Sequence, residues 1–182
     1  MRKHARKLIN RRTLLYLGGT TLLLGQSTLA QGSGLVKAGD VLVNARGAKA
    51  DQPITMSELA EGQMVLAFPM DQQTQTVKRE AKALIALVRL GKVSAAKAKS
   101  AINGLVAFSA LCPHQGCPVE KIGEVGSRKG KLICNCHGSY FDPLNSGKLV
   151  EGPAPRGLAV LPIRLEGERI LAAGDFQGKV GV

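Results

Sequence analysis

All four cysteines of the chain, and two of its three histidines, fall between positions 112 and 137 of 182 residues. They form two boxes, Cys112-Pro-His114-Gln-Gly-Cys117 and Cys134-Asn-Cys136-His137-Gly-Ser139, with nineteen residues between His114 and Cys134. Scattered structural cysteines do not concentrate with histidines in this way. Each box offers one thiol and one imidazole that can face a common site, and each keeps one further cysteine.

Cys112, His114, Cys134 and His137 make a set of two thiolates and two imidazoles. Iron–sulfur clusters take thiolate ligands, and an imidazole can replace a thiolate. Two neutral ligands in place of two anionic ones lower the negative charge of the site, which favours reduction. Structural zinc accepts the same donors, but it leaves Cys117 and Cys136 unexplained. In an exported protein those two can form a disulfide that joins the boxes.

Export is expected from the N-terminus. Residues 1–12 hold six Lys/Arg and no acid, and end in the pair Arg11–Arg12. A weakly apolar run from about Leu14 to Leu29 follows, diluted by Gly18, Gly19, Thr20, Thr21 and Gly25. This is the form of a twin-arginine signal, and the run is just long enough to serve as a membrane anchor. Residues 1–30 are read as signal and anchor, with the body of the protein outside the cytoplasm.

The formal net charge of +12 does not indicate a nucleic-acid partner. Apart from residues 1–12, the excess sits in 78–100, which carry seven Lys/Arg against Glu80 alone. The remainder is neutral, and aromatics make up 3% of the chain. No basic face with stacking residues is present.

Glycines from Gly32 to Gly47 suggest a linker over 31–50, leading into a domain at 51–182. Short apolar segments at Met64–Phe68, Leu105–Phe108, Leu132–Cys134, Ala159–Ile163 and Ile170–Ala172 alternate with Gly- and Pro-rich turns. They predict an all-β, antiparallel domain. Residues 77–102 are Ala/Lys-rich, with Leu84, Leu87 and Val88 at helical spacing, and predict a helical insertion.

Residues 105–163 resemble the cluster-binding part of Rieske [2Fe–2S] proteins. Both boxes match, as does the Gly152-Pro-Ala-Pro155 segment. The resemblance implies a cluster-binding subdomain over 105–157 holding one [2Fe–2S] cluster. Cys112 and Cys134 would hold the inner iron, and His114 and His137 the outer one. Cys117 and Cys136 would form the disulfide. Ser139 would donate a hydrogen bond to a bridging sulfide, and Gly152–Pro155 would cover the cluster. Where high-potential members carry a Tyr two residues after that Ser, this chain has Phe141; Tyr140 is expected to point elsewhere.

By the same resemblance, the function is that of the electron-transfer subunit of a bc-type quinol:cytochrome c oxidoreductase. Quinol, a cytochrome b and a c-type cytochrome would be its partners. His114 and His137 would contact quinol and couple a proton to the electron. The expected location is the extracytoplasmic face of the plasma membrane. The alternative is the small Rieske subunit of an arsenite oxidase-like molybdenum enzyme, which the Phe141-Asp142-Pro143 run also resembles.

Overall fold

The computed structural model describes residues 34–91, 98 and 101–182. The signal and anchor expected over 1–30 lie outside them. Eleven strands form two antiparallel sheets. They are β1 (Val41–Asn44), β2 (Met64–Met70), β3 (Ile85–Arg89), β4 (Leu105–Ser109), β5 (Lys121–Ile122), β6 (Leu132–Cys134), β7 (Ser139–Asp142), β8 (Lys148–Glu151), β9 (Val160–Leu161), β10 (Ile163–Glu166) and β11 (Arg169–Ala172). The only helical structure among the described residues is four three-residue 3-10 turns.

The larger sheet has the order β10-β11-β1-β2-β3-β4-β9. Its two edge strands, β9 and β10, are separated in the chain by Pro162 alone. The sheet must therefore curl until its edges approach. Its concave side holds the first core, built on Leu42, Ile85, Leu87, Leu105, Leu161 and Ile170.

The expected strands are all present, and the boundary of the domain moves. The linker expected over 31–50 contains β1, which pairs with β2 from Val41↔Met70 to Asn44↔Ala67. Val36 and Leu42 belong to the core. The glycines in this stretch serve turns, with Gly39 and Gly47 at positive φ, so glycine density here marks strand ends rather than a tether.

The helical insertion expected over 77–102 is also overturned where the chain is described. Ala81–Ala83 is a 3-10 turn, and Ile85–Arg89 is a central strand between β2 and β4. Residues 85–88 are all fully buried. Ile85 and Leu87 face the first core, and Val88 faces a second. A strand covered on both faces shows no alternation of apolar and polar residues, so its apolar run imitates a helix.

The chain leaves the larger sheet at Ser109 and returns at Val160, into a strand that pairs beside β4 through Ala107↔Leu161 and Phe108↔Val160. Between these points the second sheet forms, in the order β5-β6-β7-β8. The second core joins the sheets. Val88, Val106 and Phe108 from β3 and β4 meet Val119, Leu132, Phe141 and Leu158 from the excursion. Gly147 lies against the Phe108 ring, where a Cβ would stand 2.9 Å from Cδ1; with φ at +71° the position excludes other residues on both counts.

Candidate metal centre

Both boxes sit at turns that the sheets launch. β4 runs directly into the first. The Val119 amide donates to Ala110 O at 2.7 Å, the Cys112 amide to Cys117 O at 2.8 Å, and the Gly116 amide to Cys112 O at 2.9 Å, closing the loop on itself. The second box is the β6–β7 hairpin turn. Cys134 pairs with Ser139 across its neck, and the Gly138 amide donates to Cys134 O at 3.1 Å. Residues 135–138 are thereby forced outward.

The structure brings the four expected donors together as two pairs, thiol with thiol and imidazole with imidazole. Cys112 and Cys134 are free thiols, buried in the second core. The His114 and His137 rings meet edge to face, with centroids 4.7 Å apart and planes at 87°. His137 is exposed and His114 half-buried. Cys117 and Cys136 form a disulfide with Cα atoms 6.5 Å apart, tying box to box. The Cys134 sulfur lies within 4.8 Å of both disulfide sulfurs. Bonded to each other, those two offer no thiolate, so the available soft donors are Cys112 and Cys134.

The electrostatics suit a metal. Burial pushes the Cys112 thiol up from its ordinary range, and the neighbouring Cys134 adds to this. The His114 amide and the Ser139 hydroxyl donate to the Cys112 sulfur and pull the other way. Two thiols packed together in an apolar core resist ionisation unless a cation compensates, and a bound metal ion deprotonates them outright. His114 Nδ1 is buried with no hydrogen-bond partner. An orphaned imidazole nitrogen in a folded interior is costly, and a metal ion is a fitting partner for its lone pair. The donor set and its surroundings fit a mixed thiolate–imidazole iron centre.

Ser139 works in two directions. Besides lowering the Cys112 pKa, it accepts the Ala154 amide on Oγ at 3.2 Å, which holds the Gly152–Pro155 loop against the second box. Gly152 makes this approach possible. A Cβ there would stand 2.3 Å from Gly138 O and 2.5 Å from the Ser139 Cα, and φ is +102°.

Phe141 follows Ser139 on the same face of β7, opposite Leu132, and is fully buried in one cluster with Cys112 and Cys134. Tyr140 occupies the other face, its ring 4.7 Å below the Arg128 guanidinium. It points away from the thiols, as expected from strand alternation.

Four contributors carry no signal in the sequence. The Arg156 guanidinium donates to the carbonyl of Gly181. Gly181 abuts Leu111, which directly precedes Cys112, and Val182 approaches Gly116. Val180–Val182 are more than sixty residues from the first box in sequence, and nothing in their composition marks the contact.

The sequence profile of the Rieske [2Fe–2S] domain matches residues 54–162. The chain is 31% identical over 139 residues to the cytochrome bc1 complex Rieske iron-sulfur subunit of Streptomyces lividans, covering 72% of this chain and 79% of that protein. It is 32% identical over 124 residues to a Haloferax mediterranei protein named "Putative respiratory nitrate reductase subunit Rieske", covering 68% of this chain and 53% of that one. The chain thus spans about half the length of the haloarchaeal relative. Among solved structures, the plasma membrane Rieske protein of Synechocystis PCC 6803 superposes with a TM-score of 0.43 at 26% identity, covering 65% of this chain and 93% of that one.

Proposed function

Since the chain belongs to the Rieske [2Fe–2S] domain family, we propose that it is the iron–sulfur electron-transfer subunit of a bc-type quinol:cytochrome c oxidoreductase. The observation that carries this reading is the placement of the two imidazoles. Their rings meet edge to face, one with an orphaned Nδ1 and the other open to solvent, on the same two loops that carry two buried free thiols. Such a site can accept an electron through its exposed edge and keep its sulfurs dry.

The family's cofactor is a [2Fe–2S] cluster; when bound, it supplies a one-electron acceptor whose potential lies above that of all-thiolate ferredoxins. Cys112, Cys134, His114 and His137 would be the residues that hold it. The orphaned His114 Nδ1 supports nitrogen ligation through that atom. With Nδ1 engaged, the His114 Nε2 would be left to hydrogen-bond quinol and take up its proton. Negative charge added at the site would raise an imidazole's affinity for that proton. The Ser139 hydroxyl, which lowers the pKa of Cys112 as a hydrogen-bonding neighbour, favours the reduced, more negative state. The disulfide and the Gly152–Pro155 loop exclude water from the sulfurs.

A cytochrome b and a c-type cytochrome are the partners this role requires. The Streptomyces lividans relative, named as a bc1 complex subunit and matched over most of its length, supports it. The basic segment 1–12 and the apolar run after it support an anchor that leaves the domain on the extracytoplasmic face of the plasma membrane. Among the described residues no helix is long and apolar enough to cross a membrane.

The test is iron content and reduced-state EPR in six variants. Cys112→Ser, Cys134→Ser, His114→Ala and His137→Ala should each lose the cluster, while Cys117→Ser and Cys136→Ser should keep a weakened one. A cluster that survives Cys112→Ser but not Cys117→Ser would overturn the ligand assignment. For the complex, affinity purification of the membrane-bound chain should recover haem-containing subunits. Recovery of a molybdopterin subunit instead would overturn the bc-type assignment.

A further inference from the structure

Three loops surround the site: the first box, the second box and Gly152–Pro155. The Cys117–Cys136 disulfide ties the first to the second. The Ala154 amide on Ser139 Oγ ties the second to the third. The remaining side of this triangle is closed by a segment remote from all three. Arg156, two residues past Ala154, donates from its guanidinium to Gly181 O. Val180 packs in the first core together with Leu111. A Cβ on Gly181 would stand 3.4 Å from Leu111 Cδ1, and Val182 Cγ2 comes within 3.9 Å of the Cβ position of Gly116. Val180–Val182 therefore run alongside the first box, near Leu111 before Cys112 and near Gly116 after it, while Arg156 holds them from the third loop.

We infer that Arg156 is a positioning residue, which grips the Lys179–Val182 segment and so draws the Gly152–Pro155 loop against the first box. The geometry bears this out in three ways. The Arg156 Nε is buried with no partner, a costly state for a donor, so the side chain is held inside by the bond its terminal nitrogen makes. Gly181 has φ at +63°, and Val180 before it is buried in one cluster with Leu111, so the carbonyl that Arg156 grips is set by packing rather than by chance. Finally, Pro153 and Pro155 have no N–H, which leaves the Ala154 amide as the one hydrogen-bond donor of that triplet. The hold of the loop on Ser139 then depends on a single bond, and its register depends on how the loop is anchored at its far end.

The consequence is transmitted to the chemistry through Ser139. With Ala154 in place, the Ser139 oxygen is engaged as an acceptor, which fixes the directions left to its proton. With the third tie cut, Ala154 swings free more often, and the hydroxyl loses its fixed orientation. The redox half of this inference rests on the cluster ligation proposed above; the mechanical half does not.

The test compares Arg156→Met, deletion of Gly181 and Val182, the two combined, and Arg156→Lys, in the full chain. The first readout is hydrogen–deuterium exchange of the peptide bearing the Ala154 amide. It should rise about tenfold, the loss of one hydrogen bond's worth of protection, in Arg156→Met and in the deletion. The combined variant should rise no further, because both changes cut the same tie. Arg156→Lys, which keeps one donor, should restore part of the protection. The second readout is the reduction potential. It should fall in Arg156→Met by about a threefold loss of electron affinity, about 28 mV at 59 mV per tenfold for one electron. Unchanged exchange at Ala154 in Arg156→Met, or effects of the two changes that multiply, would overturn the inference. A chain that binds no iron would sink the ligation proposal and leave the exchange result to decide this one.

Discussion

Phe141 stands directly opposite Leu132 and on the same face as Ser139, so the residue nearest in kind to a hydrogen-bonding tyrosine is a fully buried hydrocarbon ring beside Cys112 and Cys134. Phe141 donates nothing to the cluster sulfurs. Phe141→Tyr should place a hydroxyl within reach of the Cys112 sulfur and raise the reduction potential. One net hydrogen bond is worth about 1 kcal/mol, on the order of 40 mV for one electron. Redox titration of the EPR signal measures it. A potential that stays put or falls, with the cluster intact, would show that the Ser139 and His114 donors already saturate that sulfur.

Ser139→Ala removes two bonds at once, the donation to Cys112 and the acceptance from Ala154. The potential should drop by on the order of 40 mV, and unfolding should become easier by about 1–3 kcal/mol, since the Ala154 amide is left buried without a partner. Chemical denaturation monitors the second effect. Ser139→Thr, which keeps the hydroxyl, should restore much of the potential; failure to do so would assign the loss to packing alone.

The disulfide closes a loop of 19 residues between Cys117 and Cys136, worth about 3 kcal/mol of stability on the chain-entropy view. Cys117→Ser should lower the unfolding free energy by that amount, seen as a lower denaturation midpoint. Removing the iron from the native protein with a chelator should cost additional stability that the disulfide cannot replace. If reduction of the disulfide left the midpoint unmoved, the two boxes would be held together by core packing instead.

Leu87 is fully buried on the inner face of β3. Leu87→Ala should cost about 2–5 kcal/mol, transfer plus cavity. The same substitution on an exposed helix is nearly neutral, so thermal unfolding distinguishes the buried strand from the solvated helix that the residues 77–102 suggest when read alone.

Arg11→Lys combined with Arg12→Lys should hold the protein in the cytoplasm, because a cluster assembled there requires a route that carries folded cargo. Cell fractionation reads the outcome. Export at the normal level would exclude the twin-arginine route.

The chemistry of this protein was legible without a structure because its donors are rare residue types that lie close together along the chain. Two boxes of Cys and His place six of the relevant side chains on two short loops, and local spacing alone brings each box's donors together. Several hairpin strands were legible for a similar reason. β2, β6 and β11 have polar punctuation at their ends, and turn residues act locally. What failed was whatever depended on being covered from two sides. β3 is apolar throughout because the first core lies on one face and the second on the other, and neither core exists until residues 105–161 have folded back over it. β1 was hidden among glycines for the same reason, since its partners β2 and β11 lie 20 and more than 120 residues away. The closing of the three loops by Arg156 and Gly181 belongs wholly to the tertiary structure: a guanidinium, a backbone carbonyl and two small residues are common groups, and only their meeting in space gives them a role.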